Sequence, residues 1–185
     1  MIPANFNYHK ATTLKEAIAL SQELGEEAKY MSGGHSLLPM MKLRFATPEH
    51  IIDISKINGL SYIKEEGDLL KIGALTTQSE LEHNDLLKKS YPIFGDAVWL
   101  TADPSVRNFG TIGGNIAHGD AANDQPALML ALRATIIAEG VDGKKSISID
   151  DFFHGFYMTA LEFGDILTEI QIPKTKKNSG GAYHK

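Results

Sequence analysis

Cysteine is absent from the chain. That excludes disulfides, a cysteine nucleophile and a thiolate-held iron–sulfur cluster on these residues. Any such redox centre would have to lie on another chain. Long apolar runs are also missing: none approaches the roughly 20 residues that span a bilayer. The opening MIPANFNYHK has no apolar core of the signal-peptide kind, so cytoplasmic residence is the expected default. Basic runs are missing too, and the net charge is −5. Nucleic-acid backbones call for basic surfaces, so a nucleic-acid partner is not expected. Two phosphate signatures are absent as well. Neither G-x-x-x-x-G-K-[ST] nor a G-x-G-x-x-G after a first strand occurs, which argues against a Walker-type NTPase and a Rossmann site.

What is present is an ordinary globular composition, 43% hydrophobic and 22% charged over 185 residues, enough for one domain or two small lobes. Thr13 and Glu16 have capping-box spacing ahead of an apolar face made by Leu14, Ala17, Ile18 and Leu24, with Gly25 as the stop. AKYM and HIIDIS read as short strands, and Ser36 as the cap of a short helix between them. Two hairpins are expected, around 66–68 and over 140–143. Helices are expected over 78–88, 92–100 and 126–134, and a late strand in DILTEIQIP. Trp99 reads as a core residue of the second of these helices. No repeat or low-complexity linker interrupts the chain.

Two glycine turns carry the chemistry. The first, YMSGGHSLLPM, sets Ser32, Gly33, Gly34, His35 and Ser36 before an apolar helix. Glycine lets another object approach the main chain, and exposed N–H groups at such turns attract anions. The second, NFGTIGGNIAHGDAAND, mixes Gly110, Gly113, Gly114 and Gly119 with short polar side chains. Each turn alone reads more readily as a surface loop than as a ligand site, since glycine is a common turn residue; the two together bring the readings level. Two together suit one long, doubly phosphorylated ligand between two lobes. His118 and Asp120 have no companion residues in a metal-ligand pattern, so no metal is expected.

SGGHSLLPMMKLR and GTIGGNIAHGDAANDQPALMLAL resemble the two flavin-adenine-dinucleotide signatures of the medium, FAD-binding subunit of molybdenum hydroxylases. The AHGDAAND form is most similar to the carbon monoxide dehydrogenase medium-subunit branch. SVRNFGTIGGN, DILTEIQIP and the opening FNYHKATTLKEAIAL resemble that family too. The resemblance implies an α/β (α+β) fold of the PCMH type, a two-lobed FAD-binding domain. A small βαβ lobe would occupy 1–57 and a larger mixed-sheet lobe 58–175. Residues 176–185 would begin a C-terminal domain, truncated here or encoded separately, and without it FAD would be held weakly.

Residue by residue, the resemblance implies that Ser32, Gly33, Gly34, His35, Ser36 and Leu37 wrap the pyrophosphate, largely through backbone amides. Thr111, Ile112, Gly113, Gly114 and Asn115 would grip from the other lobe. Asp124 matches a carboxylate near the adenosine ribose, though it reads equally as a helix cap before Gln125 and Pro126. Thr101, Ala102 and Leu167 match positions near the flavin, and Lys185 a lysine at its polar edge. His118 is expected at the flavin edge or in a polar loop. Arg107 reads either as a phosphate contact or as a surface residue.

By the same resemblance the chain is an oxidoreductase subunit. It would take electrons from iron–sulfur (2Fe-2S) clusters on a small partner subunit, fed by a large molybdopterin-binding subunit. FAD would deliver them to an external acceptor, with NAD, quinone and ferredoxin all open. No acid–base pair for substrate turnover is apparent. The alternatives are a self-contained flavin-dependent reductase, a non-catalytic structural subunit whose glycine turns only shape an interface, and a generic nucleotide binder.

Overall fold

A computed structural model of the chain describes residues 2–175 and 178–185. Position 1 of the expected lobe 1–57, and positions 176–177 of the expected segment 176–185, lie outside the described residues.

Residues 7–53 build a three-stranded sheet with two helices from local signals. Strand β1 (Asn7–Lys10) leads into helix α1 (Leu14–Leu24). Thr13 caps the helix by accepting from the Glu16 amide at 3.1 Å. Glu16 reaches back to the Thr12 amide, 2.7 Å, one residue beyond the expected box. That bond holds its carboxyl below the usual carboxylate range. Gly25, at φ 70, ends the helix. Strand β2 (Ala28–Met31), helix α2 (Leu37–Leu43) and strand β3 (His50–Asp53) follow. The strands pair in parallel in the order β1-β3-β2. Ser36 stands at the N-cap position of α2 but makes no capping bond, because its own backbone is already helical, φ −107 and ψ −49.

The second unit centres on a larger sheet. Strands β4 (Ile63–Glu66) and β5 (Leu69–Gly73) form the expected hairpin. Helices α3 (Gln78–His83) and α4 (Asp85–Ser90) divide what the sequence presents as one helix. Asn84, extended at ψ 121, breaks it and then caps α4 through its side chain. Helices α5 (Ile93–Trp99), α6 (Pro104–Arg107), α7 (Ile112–Ala117) and α8 (Asp124–Ala131) follow. Helix α8 starts two residues earlier than expected and ends three earlier, where Arg133 turns left-handed at φ 53. Strands β6 (Thr135–Gly140) and β7 (Gly143–Ser148) make the second hairpin. A small ribbon, β8 (Phe153–Gly155) with β9 (Met158–Thr159), precedes the long strand β10 (Ile166–Pro173).

The large sheet runs β4-β5-β10-β6-β7. All its pairings are antiparallel, so the lobe is α/β as expected but its sheet is not mixed. Leu70, Ile72, Ile136, Ile170 and Ile172 alternate along their strands and are fully buried against Phe94, Phe152 and Met129. A period of two puts each strand's apolar set on one face, and the helices cover that face.

A second core joins the units. Ala17, Ile52 and Ile54 pack with Leu60, Leu75 and Ile166. The Tyr30 hydroxyl donates to the Gly164 carbonyl at 3.1 Å, pinning the start of β10 to the first sheet. This seam leaves a cleft between the two sheets. Among the described residues no helix is long and apolar enough to cross a membrane.

Candidate functional site: a cleft between two glycine turns

The cleft encloses about 810 Å³, within the range of roughly 300–1,000 Å³ typical of small-molecule and cofactor sites. Ser32, Gly33, Gly34, His35, Ser36 and Leu37 form one wall. Thr101, Ala102, Thr111, Gly113, Gly114, Asn115, His118, Asp124, Leu167 and Lys185 form the other walls. Ile112 alone of the expected residues stays out: its side chain is fully buried in the core of the second unit.

The first turn leaves its backbone amides without protein acceptors. Among the described residues, the amides of Ser32, Gly33, Gly34, His35, Ser36 and Leu37 donate to no protein acceptor. Gly34 lies at φ +74, a conformation that L side chains adopt only with strain. Ser36, whose hydroxyl makes no capping bond, lines the same cleft. His35 Nδ1 lies 2.7 Å from the Gly33 carbonyl. A carbonyl only accepts, so Nδ1 is the donor. Nε2 then donates to an anion only as part of an imidazolium.

The second turn is built differently. Gly113 and Gly114 are the second and third residues of helix α7, not a loop ahead of a helix. Thr111 caps it by accepting from the Gly114 amide. The Ile112 amide donates to Thr76 O and the Gly113 amide to Ala74 O, both at 2.9 Å, and the Asn115 amide to Thr111 O. These four amides are therefore engaged inside the protein. Here glycine serves close approach. A Cβ on Gly113 would sit 2.6 Å from Ala74 Cβ and 2.7 Å from its carbonyl oxygen.

The two turns also touch. Ser32 Oγ and Thr111 Oγ1 are 3.0 Å apart. A Cβ on Gly33 would meet the Phe109 carbonyl oxygen at 2.1 Å. The His35 ring stacks on Phe109, centroids 5.5 Å apart.

Asp124 is the first residue of α8, with Asn123 at the cap position. It is 5% exposed. Its carboxylate accepts from the Tyr183 hydroxyl at 2.8 Å and from Lys185 Nζ at 3.0 Å. Burial, aided by Asp124, pushes the Tyr183 phenol up to about 12. Lys185 also reaches the Leu100 carbonyl. His118 packs edge-on against Tyr157, and burial holds its pKa below the ordinary value, against the pull of Asp120. Asp120 itself accepts from the Ala122 amide and the Tyr157 hydroxyl.

Two features depart from the sequence reading. Trp99 is 68% exposed, not a core residue, because α5 turns its last residue outward. Arg107 is 5% exposed, pairs with Glu82 and the Thr101 carbonyl, and does not line the cleft, so it is not a surface residue and is not placed for phosphate contact. The cleft also recruits Lys29, Gln78, Tyr157 and Asp165. Proximity to motifs marked two of these: Lys29 precedes the first turn and Asp165 immediately precedes β10. No local pattern marked Tyr157 or Gln78.

The residues fit an elongated dianion with polar ends. Beyond the free amides, Asn115 Oδ1 and Gln78 Nε2 are buried without a hydrogen-bond partner among the described residues, and both residues line the cleft. Buried polar atoms without partners are uncommon and call for one.

Comparison with known proteins shows the family. Residues 4–175 match the family described as the FAD binding domain in molybdopterin dehydrogenase. The chain is 48% identical to the carbon monoxide dehydrogenase medium chain of Hydrogenophaga pseudoflava, over all of this chain and 64% of that protein. Its identity to the corresponding chain of Afipia carboxidovorans is 46% over the same shares. It thus spans just under two thirds of the length of these curated relatives. A solved carbon monoxide dehydrogenase from Hydrogenophaga pseudoflava superposes with a TM-score of 0.93 at 49% identity, covering 95% of this chain and 61% of that one. Quinoline 2-oxidoreductase from Pseudomonas putida 86 superposes at 0.91 with 32% identity, covering 95% of this chain and 61% of that one. On the family match, carried by nearly the whole length and both glycine turns, the chain belongs to the FAD-binding domain family of the molybdopterin dehydrogenases.

Proposed function

We propose that the chain is the FAD-binding, electron-transfer part of a molybdenum hydroxylase, of the carbon monoxide or aldehyde dehydrogenase type. Its partners in this reading are a large molybdopterin-binding subunit and a small iron–sulfur subunit, from which electrons pass by way of FAD to an external acceptor. The observation that carries the reading is the run of unengaged amides from Ser32 to Leu37 on the wall of an elongated cleft.

Flavin supplies the redox chemistry when bound, and the chain supplies binding, orientation and electrostatics. The amides of 32–37 hold the diphosphate, each hydrogen bond to a charged oxygen contributing about 1.5–3 kcal/mol. Ser36 adds a hydroxyl donor. The second turn holds its distance, since Ala74 behind Gly113 and Ser32 before Gly114 fix how far the walls stand apart. Asp124 accepts from ribose hydroxyls, and Lys185, its present partner, turns toward the polar edge of the ring. Thr101, Ala102 and Leu167 form the wall beside the ring. Asn115 Oδ1 takes a donor it now lacks. No residue of this chain is given a proton-transfer step in substrate turnover. The lobes of this reading are 1–57 and 58–175.

Titration of the protein with FAD, followed by flavin fluorescence and visible absorption, tests the reading. Saturable binding of one FAD per chain, with ADP a poor competitor, is the expected result. Absence of binding even with partner chains present contradicts it. Equal competition by ADP or ATP would identify a general nucleotide site instead.

A further inference from the structure

Arg107 has a buried guanidinium whose contacts converge on one corner of the cleft. Its side chain is 7% exposed. Nε donates to Glu82 Oε2 on α3 at 2.9 Å. Nη1 donates to two consecutive carbonyls, Thr101 O at 3.1 Å and Ala102 O at 3.3 Å. The guanidinium carbon lies 5.8 Å from the centre of the Trp99 ring, within cation–π range.

Those two carbonyls belong to the corner where the chain leaves α5 and enters α6. Each side of the corner is anchored. The Thr101 hydroxyl donates back to Ala97 O at 2.8 Å, and Asp103 caps α6 by accepting from the Val106 amide at 3.0 Å. The reversal falls on Ala102 alone, at φ +49. A left-handed alanine is strained, and such strain persists only where the surroundings over-determine it. Here the surroundings are one planar guanidinium that gives Nη1 to two successive carbonyls while its Nε stays on Glu82, a two-nitrogen arrangement that lysine's single ammonium does not reproduce.

The corner is not remote from the site: Thr101 and Ala102 both line the cleft. A buried ion pair is poor evidence of net stability, because desolvation offsets its Coulombic gain. Its directional hydrogen bonds do have a specific output, the shape of that corner.

We propose that Arg107, oriented by Glu82, is a positioning residue that holds the Thr101–Ala102 corner in its left-handed turn and so pre-forms the cleft wall against which the cofactor lies. Arg107 does not touch the cofactor itself; it acts through the two carbonyls. The inference rests on the FAD reading of the cleft.

The test compares wild type, Arg107→Met, Arg107→Lys and the double variant Arg107→Met/Ala102→Gly in the full-length protein. The readouts are the FAD dissociation constant from fluorescence quenching, the visible circular dichroism of bound flavin, and far-ultraviolet circular dichroism for folding. Arg107→Met is expected to weaken FAD about tenfold and to alter the flavin dichroism. The added Ala102→Gly restores part of both, because glycine accepts positive φ without strain. Should Arg107→Met fail to fold, Arg107→Lys decides: it keeps a charge beside Glu82 but offers one nitrogen where arginine uses Nε for Glu82 and Nη1 for the two carbonyls. A weakening of about threefold with changed flavin dichroism is then expected. If the variants that fold bind FAD with wild-type affinity and wild-type dichroism, the inference is overturned. The same holds if Ala102→Gly restores nothing. Failure of the wild-type protein to bind FAD overturns the cofactor reading instead, which separates the two.

Discussion

Two stretches of this chain look alike in one-letter code, and the fold uses them in opposite ways. Both read as a polar residue, a glycine pair and a run into a helix. At 32–37 the amides are left without protein acceptors, and Gly34 sits in the left-handed region. At 111–115 every amide from Ile112 to Asn115 has an acceptor, and Gly113 is pressed against Ala74. One turn offers donors and the other fixes a distance. A glycine pair in a sequence therefore signals that backbone must be bare, without saying whether a ligand or another part of the chain will fill the space.

That contrast makes different substitutions fail in different ways. The largest effect is expected from Gly113→Val. The added carbons meet the Ala74 backbone, which cannot move aside, so stability should fall by about 3 kcal/mol, the upper end of ordinary overpacking. Denaturant unfolding of the FAD-free protein measures this. Gly34→Val should do the reverse. Its nearest neighbour is the flexible Leu38 side chain at 3.0 Å, so the stability cost is that of a left-handed L residue, about 1–2 kcal/mol. Its FAD affinity, however, should drop at least about tenfold, or about 1.4 kcal/mol, by titration under conditions where the variant is folded. If Gly34→Val unfolds the protein as readily as Gly113→Val, the two turns are not distinct.

Asn115→Ala refines the distinction. Asn115 Oδ1 has no partner among the described residues, so its loss should leave the FAD-free melting temperature nearly unchanged. FAD affinity should fall by about 1 kcal/mol, one ordinary hydrogen bond. The smallest effect is in pH. Burial lowers the His118 pKa from 6.5, so the unfolded chain binds the proton first as pH falls. Stability is full above pH 6.5 and declines below it. In His118→Gln this part of the pH dependence should flatten, as measured by unfolding midpoints between pH 7 and 5.

Much of the fold was readable where local chemistry decides. Thr13 and Gly25 bounded α1, and the alternating isoleucines marked β10. Strand β1 escaped notice because its residues are mostly exposed and carry no apolar alternation; parallel pairing with β3 makes it a strand. Helix α7 escaped because a glycine pair disfavours helix. The cap from Thr111 and the bonds to Ala74 and Thr76 override that preference. The same long-range bonds explain why Ile112 does not line the cleft, since its side chain is drawn into the core they build. Residues of the cleft wall were readable through motifs, but which amides are engaged depends on bonds between α7 and the segment after β5, Ala74 and Thr76, far apart in sequence.

The decisive measurement is amide chemical-shift mapping of the isotope-labelled protein as FAD is added. Large shifts confined to the amides of 32–37 on the glycine turns, with those of 112–115 nearly still, are predicted. Amides of 32–37 that remain unmoved at saturating FAD, or shifts centred on Gly113 and Gly114, would contradict the division of labour between the two turns.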